Sequence, residues 1–251
     1  MIQLNRATIS KARNYLLLIV FCILIGIGIG SANAKTAPFD LLPTMLRGVR
    51  TTIQLTLAAA ALAFVVALIA GLSKLSPNRF IRIITNVYIE VFRGTSVLVQ
   101  LFWIYFVLPL DPFNISVSAF QAGVLALGLN IGAYGAEVVR GAVQAVPRGQ
   151  YEAAIALNMT PALRMRKVIL PQALVRMLPP FGNLLIELLK ATSLVSLITL
   201  SDVTFQALTL RQSVGRTQEL FVLLLIIYFV IAYPLTLGVR WIESRIEWAK
   251  A

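Results

Sequence analysis

Apolar stretches long enough to cross a bilayer recur along this chain, at residues 14–33, 52–72, 87–109, 118–139, 176–200 and 220–241. The hydrocarbon core is about 30 Å thick and takes ~20 helical residues to cross. A helix satisfies its own backbone hydrogen bonds, which lipid cannot do for it. The predicted fold class is therefore all-α, a polytopic membrane helical bundle. Composition agrees: 59% of the residues are hydrophobic and 13% are charged, against about 45–50% and about 25% in soluble domains. The fourth and fifth stretches are the least apolar, because they hold Asn130 with Glu137 and Glu187 with Lys190. Residues 41–50 read as a short lead-in to the second span.

The net charge of +12 forms no basic face for nucleic acid, because the cations sit between the apolar runs. Fifteen Lys and Arg residues fall on alternate segments: 1–13, 73–86, 140–176 and the C-terminal tail. The opposite loops hold five: Lys35, Arg47, Arg50, Arg211 and Arg216. The positive-inside rule then places segment 140–176 and the C-terminus in the cytoplasm. The first stretch fits two readings, a retained membrane helix or a secretory signal ending at Ala32-Asn33-Ala34. Either leaves residue 35 outside. The expected division is residues 1–40 as that helix or signal, 41–245 as one membrane domain and 246–251 as a cytoplasmic tail.

Several chemistries are excluded. The chain has no histidine and one cysteine, Cys22. That rules out a zinc site of the usual ligand count, an intrachain disulfide, and a Ser–His or Cys–His catalytic pair. No G-x-x-x-x-G-K-[ST] phosphate loop occurs. No catalytic residue, metal or cofactor is expected on this chain.

The cationic stretch 150–171, QYEAAIALNMTPALRMRKVILP, is too polar to span. Pro147 suits the first turn of a helix, where its missing N–H costs nothing. Residues 148–157 are good helix formers. Asn158 falls where a helix often ends in a left-handed residue. Thr160 suits an N-cap and Pro161 the first position of a second short helix. Pro171 marks entry into the next span. Local chemistry thus gives helix, turn, helix, membrane over 147–171. It does not say whether this hairpin docks a partner or is an ordinary loop anchoring two spans.

The segment resembles the EAA motif of binding-protein-dependent ABC importer permeases: E-A-A, three residues, G, nine residues, I-x-L-P. Glu152, Ala153, Ala154, Leu170 and Pro171 match at that spacing, while Asn158 replaces the Gly and Val168 the Ile. Asn tolerates the left-handed conformation. YIEVFRGTSVLVQLFW at 88–103, AYGAEVVRGAVQAVPRGQYEAA at 133–154 and LPPFGNLLIELLKATSLVSLI at 178–198 are similar to the polar amino-acid branch of that family, the histidine and glutamine permeases. The resemblance covers about residues 45–241. It implies a type I permease fold of five core transmembrane helices, to which the N-terminal hydrophobic segment is an addition.

The resemblance also implies partners and roles. The hairpin would be the helix that seats in an ATPase subunit, with Tyr151, Glu152, Ala153, Ala154, Asn158, Leu170 and Pro171 as coupling residues. The implied partners are a dimer of ABC ATPases, a second copy or paralogue of the permease, a periplasmic solute-binding protein and the lipid of a bacterial inner membrane. The implied function is to form the translocation path for a polar amino acid or a related solute, such as an opine or an ectoine-like compound. An ion-driven carrier is the competing reading, and it would need no ATPase.

Ionisable residues within spans usually face a cavity or a partner. Glu187 and Lys190 either neutralise each other three residues apart or line the path with Thr192 and Ser193. Where the family segment commonly reads L-K-D-T-S-L, this chain has Ala191 in place of the acid. Arg93, in a segment resembling the family's R-G-T-P, either snorkels to headgroups or takes part in a gate. Glu137 and Arg140, three apart, form either an ion pair or a gate.

Overall fold

The computed structural model describes Tyr15, Leu16, Ile19, Ile23 and residues 38–248. Most of the segment expected as a membrane helix or signal, with Cys22, lies outside the described residues, as do residues 249–251 of the tail.

The described chain is helical. A 3-10 turn, Pro38–Leu41, leads into α1, Leu42–Ser73, so the expected lead-in is the first part of the span itself. Helix α2, Arg79–Gly94, starts at Asn78, whose side chain accepts from the Phe80 N–H at 2.9 Å. Helix α3, Val97–Phe102, continues as a π-helical turn, Trp103–Val107. Helix α4 is Ala119–Gln144. It opens with a reciprocal cap in which the Gln121 N–H donates to Ser118 Oγ and the Ser118 N–H to Gln121 Oε1. Helix α5 is Arg148–Ala156 and α6 is Pro161–Arg164. A π-helical turn, Met165–Ile169, joins α6 to α7, Leu170–Ala191, and a 3-10 stretch, Thr192–Ile198, follows. Helix α8 is Val203–Val214 and α9 is Thr217–Trp248.

Four segments among the described residues are long and apolar enough to cross a membrane, and the bent pair α2–α3 makes a fifth when its two helices are taken together as one span. The expected straight span at 87–109 is thus two helices that meet at 104° across Thr95-Ser96. A break inside hydrocarbon frees backbone groups that need partners. Here the Phe92 carbonyl accepts from Gln100 Nε2 at 3.0 Å and from Asn130 Nδ2 at 2.9 Å. Asn130 Nδ2 also donates to Gln100 Oε1 at 3.1 Å, and Gln100 Nε2 to Thr95 Oγ1 at 2.7 Å. Asn130, the blemish in the fourth apolar stretch, is the side chain that mends the third.

Two compact units make up the fold. The larger comprises Thr52–Leu200 with residues 233–248. Its centre is α4, which carries Gly123, Ala126, Gly132, Ala133 and Gly135 on buried faces. In lipid, helices associate through close packing and small residues permit it. A Cβ on Gly71 of α1 would lie 2.5 Å from the Val139 Cβ of α4, so the two backbones touch there. Leu55, Ala59, Leu101, Leu127, Leu188 and Val195 fill one core of this unit. Ala67, Val139, Val143, Ile169 and Met177 fill another.

The smaller unit holds the described residues up to Thr51 together with Ser201–Ala232. Met45, Val203, Ala207, Leu220 and Leu223 form its core. Helix α8 was not legible in the sequence, although both its ends carry signals. Asp202 caps it by accepting from the Phe205 N–H at 2.7 Å, and Gly215 ends it at φ 72°. The carboxylate of Asp202 is wholly buried and also accepts from the Tyr228 hydroxyl at 3.3 Å. Arg216 bridges Asp40, at 2.9 Å, and Glu219.

Candidate functional site

The hairpin is built from short-range chemistry. Pro147 is the N-cap of α5, one residue ahead of its expected place in the first turn. Asn158 has φ 54°, the left-handed region, and its N–H donates to the Ile155 carbonyl at 2.8 Å. The Met159 N–H donates to the Ala154 carbonyl at 3.0 Å, which closes the turn. Thr160 Oγ1 accepts from the Leu163 N–H, with Pro161 opening α6. The second arm does not end before the membrane. It runs through the π-helical turn into α7 without interruption, and Pro171 lies in the first turn of α7.

Each side of α5 has a different task. Tyr151 turns inward and donates its hydroxyl to the Val143 carbonyl at 3.1 Å, with the Arg164 guanidinium 6.0 Å from its ring centre. Ala154 is buried within the chain, so its small size serves the hairpin's own packing. Gln172 of α7 reaches Gln150 at 3.0 Å. Leu170 is half-buried and Pro171 exposed. Glu152, Ala153, Ala156 and Asn158 are exposed on the free side. Ile155 and Leu157 join them, at 56% and 71% exposure. These two apolar residues were not singled out from the sequence. Their signal was two large aliphatic side chains in an otherwise polar segment.

The residues expected along the path separate into two groups. Glu187 and Lys190 are exposed on α7, with Asn183 one turn earlier, so a polar stripe runs down an apolar helix. Of the two readings for them, the neutralising pair is not formed: the ion pairs among the described residues do not join Glu187 to Lys190. Thr192 and Ser193 turn to the backbone instead. The buried Thr192 hydroxyl donates to the Leu189 carbonyl at 2.7 Å and the Ser193 hydroxyl to the Lys190 carbonyl at 2.9 Å. They mark the point where α7 tightens into the 3-10 stretch.

Arg93 sits in the last turn of α2, at the bend, with its guanidinium 5.2 Å from the Tyr134 ring centre. Glu137 and Arg140 form an ion pair at 2.8 Å. A partner not foreseen completes it: Lys74 Nζ lies 2.6 Å from the other Glu137 oxygen. Arg140 also donates to Gln144 Oε1 at 2.7 Å. Among the described residues no group of His, Cys, Asp and Glu is arranged to hold a metal ion.

Comparison with known proteins places this architecture. Residues 40–248 match the family described as binding-protein-dependent transport system inner membrane component. A probable amino-acid ABC transporter permease protein, y4tF of Sinorhizobium fredii (strain NBRC 101917 / NGR234), is 48% identical over 82% of this chain and 89% of its own length. The glutamine transport system permease protein GlnP of Escherichia coli (strain K12) is 34% identical over 84% of this chain and 97% of its own. Among solved structures, an amino acid ABC transporter with histidines superposes with a TM-score of 0.77 at 39% identity, covering 82% of this chain and 95% of that one. The inward-facing MetNI methionine ABC transporter shares the fold, with a TM-score of 0.65 at 22% identity over 82% of this chain and 99% of that one. On the family match and these identities, the chain belongs to the binding-protein-dependent transport system inner membrane components.

Proposed function

We propose that this chain is the permease subunit of an ABC importer for a polar amino acid or a related small solute such as an opine or an ectoine-like compound. It is an integral component of a bacterial inner membrane and does no catalysis itself; ATP is hydrolysed on a separate subunit. Residues 41–245 form the permease domain, and hairpin 147–171, with the C-terminus, faces the cytoplasm. Two ATPase subunits, a second permease copy or paralogue, and a periplasmic solute-binding protein complete the assembly, and this chain carries no cofactor. The family and the relatives, all permease components, favour this reading over an ion-driven carrier.

The observation that carries the coupling role is the two-sided hairpin. Tyr151 and Ala154 lock α5 to its own chain, while Glu152, Ala153, Ile155 and Leu157 are left free. Exposed aliphatic residues beside a carboxylate suit a cleft in a soluble partner. Glu187 and Lys190, unpaired with each other and exposed, are the path residues. Arg93, at the bend, faces the Tyr134 ring rather than solute, and Thr192 and Ser193 shape the end of α7.

The test is uptake into liposomes holding the chain with its ATPase, supplied with binding protein. ATP inside should drive uptake that resists uncouplers. Glu152→Lys and Ala153→Trp should insert normally yet lose most uptake, and normal uptake in both would remove the coupling role from this face.

A further inference from the structure

We propose that Lys74 is a positioning residue for energy coupling: through Glu137 it joins the end of α1 to the part of α4 that carries the hairpin, so that hairpin movement reaches α1. The proposal rests on the reading above, in which the hairpin seats an ATPase.

The last two turns of α4 are a common post. Val143 accepts from Tyr151 of α5, and Ala145, at the end of α4, accepts from Arg176 of α7. Both of those contacts end on backbone carbonyls and tie the hairpin and its outgoing helix to α4. One turn earlier, Glu137 spends one oxygen on Lys74 and the other on Arg140. Lys74 lies one residue beyond α1 and its own N–H still donates to the Ala70 carbonyl at 2.9 Å, so its backbone moves with that helix.

Two contacts between α1 and α4 meet here and do different things. Gly71 against Val139 sets how near the helices lie. It is apolar and non-directional. Lys74 to Glu137 is a directional, charge-assisted link across the two helices and fixes their axial register, while Arg140, held by Gln144, takes the other Glu137 oxygen and orients the carboxylate from within α4. The Lys74 and Glu137 side chains are only 23% and 19% exposed, so solvent screens the pair weakly. A displacement of the α4 end would thus be felt at α1 through Lys74. The apolar Gly71–Val139 contact sets the separation of the helices, and the ion pair adds a directional link at the end of α1.

The experiment uses the whole transporter in liposomes. ATP hydrolysis is measured with and without the cognate binding protein, which is supplied with a mixture of the protein amino acids. Lys74→Met should assemble normally and keep basal hydrolysis within twofold, but lose about 2- to 30-fold of the stimulation by loaded binding protein, the span over which coupling residues act. Lys74→Arg should retain stimulation. Because Lys74 acts through Glu137, Lys74→Met with Glu137→Gln should be no worse than Lys74→Met alone. Stimulation unchanged in Lys74→Met, or equally lost in Lys74→Arg, overturns the proposal. So do additive effects in the double variant, or a fall in assembly that accounts for the whole loss. Absence of stimulation with the wild-type chain is a different result and counts against the importer reading itself.

Discussion

Asn158 occupies a backbone conformation that costs an ordinary L-residue roughly 1–2 kcal/mol and is held there by the closing bonds of the hairpin turn, with φ 54°. Glycine adopts it freely, so Asn158→Gly should keep ATP-driven uptake within about twofold. A β-branched residue is strained there, so Asn158→Val should lower uptake while leaving membrane insertion intact. Equal uptake in all three proteins would mean that the turn does not matter. Asp202 makes a second residue-level case. Burial pushes its carboxyl up to about 6, and the hydrogen bonds from Phe205, Thr204 and Tyr228, which favour the ionised form, do not offset it. The folded protein therefore holds this proton more tightly than the unfolded chain. The stability so gained is complete below the ordinary value of 3.8 and is lost as pH rises through about 6. Asp202→Asn keeps the cap and removes the titration. The Tm of wild type minus that of Asp202→Asn, in detergent, should fall between pH 4 and pH 7. A flat difference would rule out a buried proton at Asp202.

Among the elements, the α1–α4 crossing is the least forgiving. An added methyl at Gly71 meets Val139 and the Ala136 carbonyl, at 2.5 and 2.7 Å, and neither can withdraw along a flexible side chain. Gly71→Ala should cost on the order of 1–3 kcal/mol. Gly141→Ala, where a methyl meets nothing within 4 Å, should be neutral or slightly stabilising, because alanine is the better helix former. Thermal unfolding of the two variants side by side checks the contrast. The sequence made such elements visible where one chemistry decides them. Span positions followed from apolar length, and the hairpin from Asn158, Thr160 and Pro161. The 104° bend was not legible, because its partners Gln100 and Asn130 lie 30 residues apart and meet only after folding. The Lys74–Glu137 contact, 63 residues apart, was hidden for the same reason. Helix α8 is short and weakly patterned, so its two caps, Asp202 and Gly215, do not by themselves mark a helix. Spacing put Glu187 and Lys190 on one face, but sharing a face does not make two exposed side chains pair, and these two do not.

For the molecule as a whole, the open chemical question is which solute crosses. The stripe on α7 offers one acid and one base, Glu187 and Lys190, each exposed and not paired with the other. A zwitterion presents the complementary charges, a carboxylate for Lys190 and an ammonium for Glu187. The neighbouring Thr192 and Ser193 hydroxyls are engaged with the backbone and add little. Ala191, beside Lys190, supplies no acid, so a basic side chain would find no second carboxylate there. An unpaired charge taken out of water costs several kcal/mol, order of magnitude, which is enough to bias passage even when a binding protein makes the first selection. Uptake over a panel of labelled solutes should therefore favour neutral polar amino acids over lysine and arginine. Glu187→Gln and Lys190→Gln should each depress uptake of the preferred zwitterion by about tenfold or more, the scale of a lost charge-assisted hydrogen bond of ~1.5–3 kcal/mol. Preferential import of arginine or lysine that Glu187→Gln abolishes would overturn the zwitterion assignment and make Glu187 the site of the side-chain cation.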